Sequence, residues 1–249
     1  MYPNVYNDLR DTHCKVIFLV TTAGDSGRDK IYWHAREEGL KSSVRFCLAP
    51  HEDHLLESAG ASFFNNHLIN HWAVNDNTIA YFLRLPDGNL NGKGFARYNF
   101  ASLSKFKSQE INSIEATDTS AVYSCWDDLT DTIESIVNFE RKDILNACIT
   151  YLDPDQDANP NDHPDHIATG FAVQNIAAIA TMRQFLCKGY GVHQSRRYLS
   201  AASLFWKAGM FAAYEKSVFD LCGYSTLQED ADLYIRWCRS RPKFFIIKP

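Results

Sequence analysis

Lys15-Val16-Ile17-Phe18-Leu19-Val20-Thr21 is a continuous run of apolar and β-branched residues that passes directly into Thr22-Ala23-Gly24-Asp25-Ser26-Gly27-Arg28. A run without polar alternation predicts a strand covered on both faces, as in a parallel sheet. The two glycines let the backbone turn tightly at its end. Ligands of open α/β sheets gather at the carboxyl ends of strands. Asp25 is therefore a candidate to hold a substrate hydroxyl, and a plain turn residue is the competing reading.

Working outward, Asn4 to Arg10 reads as a helix end, with Val5, Tyr6 and Leu9 on one side. Ile31 to Leu40 reads as a helix and Val44 to Leu48 as a short strand. His67 to Asn75 and Thr78 to Leu85 form a strand pair around Asn75-Asp76-Asn77. Pro86 to Gly94 is a loop by composition. Leu103 to Phe106 and Asp127 to Glu140 read as helical, and Ala147 to Leu152 as another buried strand. His166 to Cys187 gives the clearest helical pattern. Helices are expected over Ala201 to Tyr224 and through Tyr234 and Trp237, ahead of the tail Phe244 to Ile247. Buried strands alternating with helices predict an α/β fold, a mostly parallel sheet flanked by helices in one domain over 1–249. The stretch 61–126 is richer in strand and turn signals and is expected to form an antiparallel excursion.

A net charge of −5 and a pI near 6.0 argue against a nucleic-acid groove as the main function. No apolar run approaches the ~20 residues of a membrane span. Met1-Tyr2-Pro3-Asn4 lacks the basic start of a secretory signal. The seven cysteines are an odd number without CxxC spacing, which favours reduced thiols in a cytoplasmic protein over a disulfide framework.

Asp162-His163-Pro164-Asp165-His166 carries the chemistry. Two imidazoles three apart on a first helical turn point the same way. The positive helix end disfavours protonating either ring, and neutral imidazole is what a zinc ligand or an electrophilic donor requires. Pro164 suits the first helical position, where no N–H is needed.

The order of these signals resembles the PIG-L/LmbE-like de-N-acetylase family. It comprises the strand ending in Thr21-Thr22-Ala23-Gly24-Asp25-Ser26-Gly27, the helix with Tyr32-Trp33-His34-Ala35-Arg36-Glu37-Glu38, the His163-Pro164-Asp165-His166 segment, and Lys207-Ala208-Gly209-Met210-Phe211-Ala212-Ala213-Tyr214. The resemblance implies a Rossmann-like fold and zinc-dependent removal of an acetyl group from an N-acetylated sugar or conjugate. It implies that His166 is a zinc ligand, that His163 donates to the oxyanion and protonates the leaving amine, and that Asp165 is the carboxylate partner of His163. Arg36 is a candidate contact for an anion such as acetate, or a structural ion-pair residue.

The chain departs from that family at one place. The second motif, His-Pro-Asp-Asp, whose His and last Asp are zinc ligands and whose middle Asp is the general base, occurs nowhere in it. The chain begins at a point that would fall just downstream of that motif. Three explanations stand: the start is an internal methionine, the protein is a non-catalytic remnant that binds a carbohydrate or a partner, or other residues complete a different metal site. Loss of the first strand predicts a gap in the parallel sheet, with ladder edges that invite another chain, a homo-oligomer or marginal stability. Hydrolysis by the chain as it stands is expected to be impaired.

His51/His54 and His67/His71 have ligand-like spacing, but neither is H-E-x-x-H, and both read as structural. Tyr32-Trp33 reads as core before sugar platform, and Ser195-Arg196-Arg197 as a solvated basic loop. Lys207 and Tyr214 share a helical face and read at least as well as structural residues. A nucleotide site on the Gly24–Gly27 turn is the weakest reading, since G-x-G-x-x-G and the Walker lysine are missing.

Overall fold

The computed structural model describes residues 4–51, 54–142, 144, 146–194, 198–240 and 244–247. β1 (Val16–Thr22) pairs in parallel with β4 (Thr78–Leu85), from Val16 opposite Thr78 to Val20 opposite Phe82, with an irregularity before Thr22. β4 pairs antiparallel with β3 (His67–Val74), and β3 with β2 (Glu57–Phe64). A second sheet places β7 (Cys148–Leu152) parallel to β8 (Arg183–Cys187) and β8 antiparallel to β9 (Phe244–Ile247). β5 (Ile114–Glu115) and β6 (Val122–Tyr123) form a short ribbon.

The chain is therefore a mixed α/β protein. Two of these six ladders are parallel, so the sheets are mixed rather than mostly parallel. Within the 61–126 stretch, β3 and β4 join the sheet of β1 through antiparallel ladders, and β5 and β6 form the separate ribbon.

β1 alternates its side chains between two cores, as an all-apolar strand must. Ile17 and Leu19 pack with Tyr81, Leu83, Tyr151 and Leu186, beneath α4 (Trp126–Arg141) and α5 (Pro164–Asn175). Val16, Phe18 and Val20 pack with Tyr6 and Leu9 of α1 (Asn4–Arg10) and with Val44, Cys47 and Leu48 of α2 (Lys30–Leu48). Yet β1 is only half-buried. Its lateral edge is the reason: among the described strands β1 has a ladder neighbour on one side only, and so does β7.

Two sequence expectations give way. Val44–Leu48 is not a strand but the last turns of α2, where Val44, Cys47 and Leu48 sit at helical i, i+3, i+4 spacing on the buried face. Asp29 caps this helix, accepting the N–H groups of Ile31 and Tyr32. The helix expected over 166–187 stops at Asn175, a short 3-10 stretch (Ala177–Thr181) follows, and Arg183–Cys187 becomes β8. Pairing with β7 outweighs the local helical preference there.

α6 (Ala201–Cys222) lies along α2, and α7 (Leu227–Arg239) follows. Among the described residues no helix is long and apolar enough to cross a membrane, and all seven cysteines are free thiols, only Cys47 being buried.

Candidate functional site

The loop after β1, the loop after β4 and the start of α5 meet at one place. Asp25 is fully buried there. Its Oδ1 accepts the Asp87 N–H and its Oδ2 the Gly27 N–H, each at 2.8 Å. Burial pushes its pKa up, and those N–H groups oppose the shift. Asp25 thus fastens two loops together, with both oxygens engaged by backbone.

The Gly88 N–H, next along, donates to Asp165 Oδ2 at 2.8 Å. A Cβ on Gly88 would come within 2.4 Å of Asp165 Oδ1, so only glycine permits this approach. Asp165 is buried and its Oδ1 has no hydrogen-bond partner. Burial, reinforced by Asp87, pushes its pKa up to about 7 against the pull of the Gly88 N–H.

His163 caps α5, its Nδ1 accepting the Asp165 backbone N–H at 3.2 Å. A neutral ring that accepts at Nδ1 carries its proton on Nε2. That nitrogen lies 3.8 Å from Asp87 Oδ1. The carboxylate of Asp165, expected to partner His163, stands 3.7 Å from Nδ1, beyond hydrogen-bond range. It is the main chain of Asp165 that orients the ring. Burial lowers the His163 pKa; Asp87 opposes the shift and His166 adds to it.

The other imidazole is held differently. His166 Nδ1 meets Asp162 Oδ1 at 2.8 Å, and its ring lies 5.4 Å from that of His163 and 5.3 Å from Tyr190. The Asp162 side chain is fully buried, whereas His166 is 33% exposed. The same Asp162 oxygen accepts the N–H groups of His163 and Tyr190, and Oδ2 accepts from Asn159. Gly189 is obligatory beside it, since a Cβ there would lie 2.1 Å from Oδ1. Burial disfavours the Asp162 carboxylate, but His166, Tyr190 and Asn159 prevail and hold its pKa at about 2. A carboxylate that fixes Nδ1–H and leaves Nε2 free to ligate is the recurrent support of a metal-bound histidine.

Arg36 donates from Nε to the Tyr214 hydroxyl at 2.9 Å and from Nη1 to Gly24 O at 2.6 Å. The charge of its guanidinium is supported by Tyr214 and Tyr32 and, more weakly, by Asp87.

Ligand atoms of Asp87, His163 and Asp165 lie within 4.8 Å of one another, the one such trio among the described residues. A set of two carboxylates and an imidazole, one carboxylate oxygen being buried and orphaned, is chemically suited to a divalent cation. His166 is the neighbour of this trio rather than a member of it.

Sequence reasoning missed Asp87 and Tyr190, and it quoted Asp162 within its stretch without giving it a role. The signal for Asp87 was its place directly after a strand, at Pro86-Asp87-Gly88. Asp162 stood four residues ahead of His166, one helical turn away. Of the other candidates, His67 pairs with Asp128 at 2.7 Å, and Lys207 donates to the Trp237 and Ser240 carbonyls. Tyr32 and Trp33 are buried under Arg28 and Arg84. These four are built into the fold. His51 and His54 are exposed, while Ser195-Arg196-Arg197 lies outside the described residues. No family model, curated protein or solved structure matches the chain.

Proposed function

We propose that this site is the metal-facing half of a PIG-L/LmbE-like, zinc-dependent amide hydrolase on a Rossmann-like scaffold, taking an N-acetylated sugar or sugar conjugate. The Asp162–His166 pair carries the reading, because it fixes one imidazole in the tautomer and orientation of a metal ligand. His166 would hold the ion through Nε2 from beside the trio of Asp87, His163 and Asp165, of which it is a neighbour. Zinc, when bound, supplies Lewis-acid polarisation of the amide carbonyl and a water of pKa near ~7.

The chain's own groups supply the remainder. His163 would present Nε2–H as the hydrogen-bond donor to a developing oxyanion. Protonating the departing amine as well would require the ring to take up a second proton on Nδ1, in place of the Asp165 N–H contact. Arg36 offers a half-buried cation to the carboxylate product, and Asp25 holds both loops in place for these contacts.

A second reading is a non-catalytic binder of a carbohydrate or a partner on the same scaffold. It is favoured by the lack of a His-Pro-Asp-Asp motif anywhere in the sequence, which removes the general base and two ligands. Zinc titration of the metal-stripped chain, with assay of free amine from an N-acetylglucosamine conjugate, separates the two. Uptake near one equivalent, lost in His166→Ala, supports the hydrolase scaffold, and amine release is expected to be weak. Uptake unaffected by His166→Ala overturns the ligand assignment, and no uptake at all favours the binder.

A further inference from the structure

α6 has three faces, and two are occupied. One lies on α2: Trp206 and Met210 join the core beside Val44 and Leu48, Gly209 meets Phe46, and Tyr214 meets Gly39. The second lies on α7, where Phe211 stacks on Tyr234 at 5.1 Å between ring centres and Lys207 reaches the last carbonyls of that helix. The third is exposed along its length and carries Phe205, Ala208, Ala212, Lys216 and Phe219. Phe205 is 71% exposed and Phe219 50%.

The spacing of that stripe is symmetric about Ala212. Phe205 and Phe219 stand seven residues to either side of it, and Ala208 and Lys216 four to either side. Seven and four residues are near whole helical turns, so all five side chains fall on one stripe, within about 40° of the Ala212 direction and about 21 Å long. A row of this kind is complementary to itself when reversed. We propose that α6 is the interface of a homodimer in which a second copy of the chain crosses antiparallel at Ala212, on a two-fold axis.

In that arrangement each Phe205 ring packs against the partner copy's Phe219, and each Ala208 lies under the alkyl stem of the opposite Lys216. The alanines let the axes approach to about 8 Å. A two-fold contact of this kind is isologous and closes on itself, so it stops at two copies. Charge does not oppose it: Lys216 is already neutralised by Asp220 at 2.5 Å, and no acidic side chain lies on the line. The same feature disfavours a lipid surface as the occupant, since interfacial helices carry an excess of Lys and Arg beside the apolar row. The four phenylalanine rings offer on the order of 450 Å² of the roughly 1,600 Å² of a standard interface. The dimer is therefore reversible and concentration-dependent.

Site-specific oxidation tests the crossing point. Ala212→Cys should yield a disulfide dimer under mild oxidant well above the unsubstituted chain, whose own thiols set the background. Ala202→Cys, exposed but off the line, should stay at background. Adding Phe205→Lys to Ala212→Cys should cut the cross-linked yield at least tenfold. Sedimentation of the unsubstituted chain should show a monomer–dimer equilibrium that Phe205→Lys shifts to monomer, with circular dichroism unchanged. A monomer at the highest soluble concentration overturns the proposal, as does a dimer indifferent to Phe205→Lys. Flotation with neutral vesicles without dimer formation would assign the stripe to lipid instead.

Discussion

His166 and Asp162 face each other through a 2.8 Å Nδ1 to Oδ1 contact, the carboxylate fully buried and the imidazole one-third exposed. The pair is therefore anchored at its inner end and open at its outer end. An imidazole placed for core packing alone would not need an ionised carboxylate beneath it. Asp162→Asn keeps the shape but removes the charge that fixes the ring, and it is expected to weaken zinc binding 10–100-fold. Competition with a chromophoric chelator measures this. Unchanged affinity would mean that the pair only braces the start of α5 against the Tyr190 segment.

Asp25 sits at the end of the strand that opened the sequence reading, but its carboxylate faces main chain. Asp25→Ala leaves the Asp87 and Gly27 N–H groups without acceptors and should cost about 2–4 kcal/mol. Asp25→Asn retains one carbonyl oxygen and should cost less. Urea unfolding midpoints give the order. If both variants unfold like the parent and only ligand binding is lost, Asp25 is a substrate residue after all.

The open edge of β1 makes a hydrogen-exchange prediction. In a parallel ladder, alternate residues direct both N–H and C=O to the same neighbour. The Val16 N–H bonds to Asn77 O on the β4 side, so Ile17 and Leu19 point their amides at the unpaired edge. Their amides are expected to exchange faster than that of Phe18, despite equally apolar side chains. Equal protection would show that another strand covers this edge in solution.

Much of the architecture was legible because apolar pattern and burial coincide. The strand pair around Asn75-Asp76-Asn77, the α4 and α6 helices and the loop from Pro86 all lie where periodicity and turn chemistry place them. What failed did so where distant pairing decides. Phe185 and Leu186 read as helix until β7 is beside them. Glu57–Phe64 carries too much Ser, Ala and Gly to announce a strand, and it exists because β3 offers a full register of partners. In the site, the histidines were visible as a spaced pair. Asp87 was not, since only the fold brings a residue 76 positions upstream to His163.

Acid should unfold the protein partly through Asp118. Burial disfavours its charge, but Ser120 and Arg84 outweigh this and hold the pKa below the ordinary 3.8. A carboxyl depressed on folding contributes stability above its unfolded pKa, and that contribution is lost as pH falls through the folded value. Asp118→Asn is expected to cost about 1.5–3 kcal/mol at neutral pH. The deficit should begin to shrink below pH ~4, where the unfolded chain takes up the proton, and close as the folded carboxyl protonates at lower pH. Thermal melts from neutral to acid pH check the convergence; parallel curves would exclude Asp118 from the acid limb.

Gly209 decides how closely α6 approaches α2. Alanine in a helix interior is ordinarily worth about 1 kcal/mol over glycine. At this position, however, the new Cβ would stand 2.4 Å from Phe46 Cζ, and Phe46 is itself held edge-on by Trp206 at 5.7 Å. Overpacking of this kind costs about 1–3 kcal/mol, so steric cost should win and Gly209→Ala should be destabilised. Gly39 repeats the arrangement against Tyr214, at 2.6 Å, and Tyr214 accepts from Arg36. Gly39→Ala should therefore lose stability and also weaken acetate binding at Arg36, whereas Gly209→Ala should lose stability alone. A stabilised Gly209→Ala would show that Phe46 yields and the two helices can separate freely at this point.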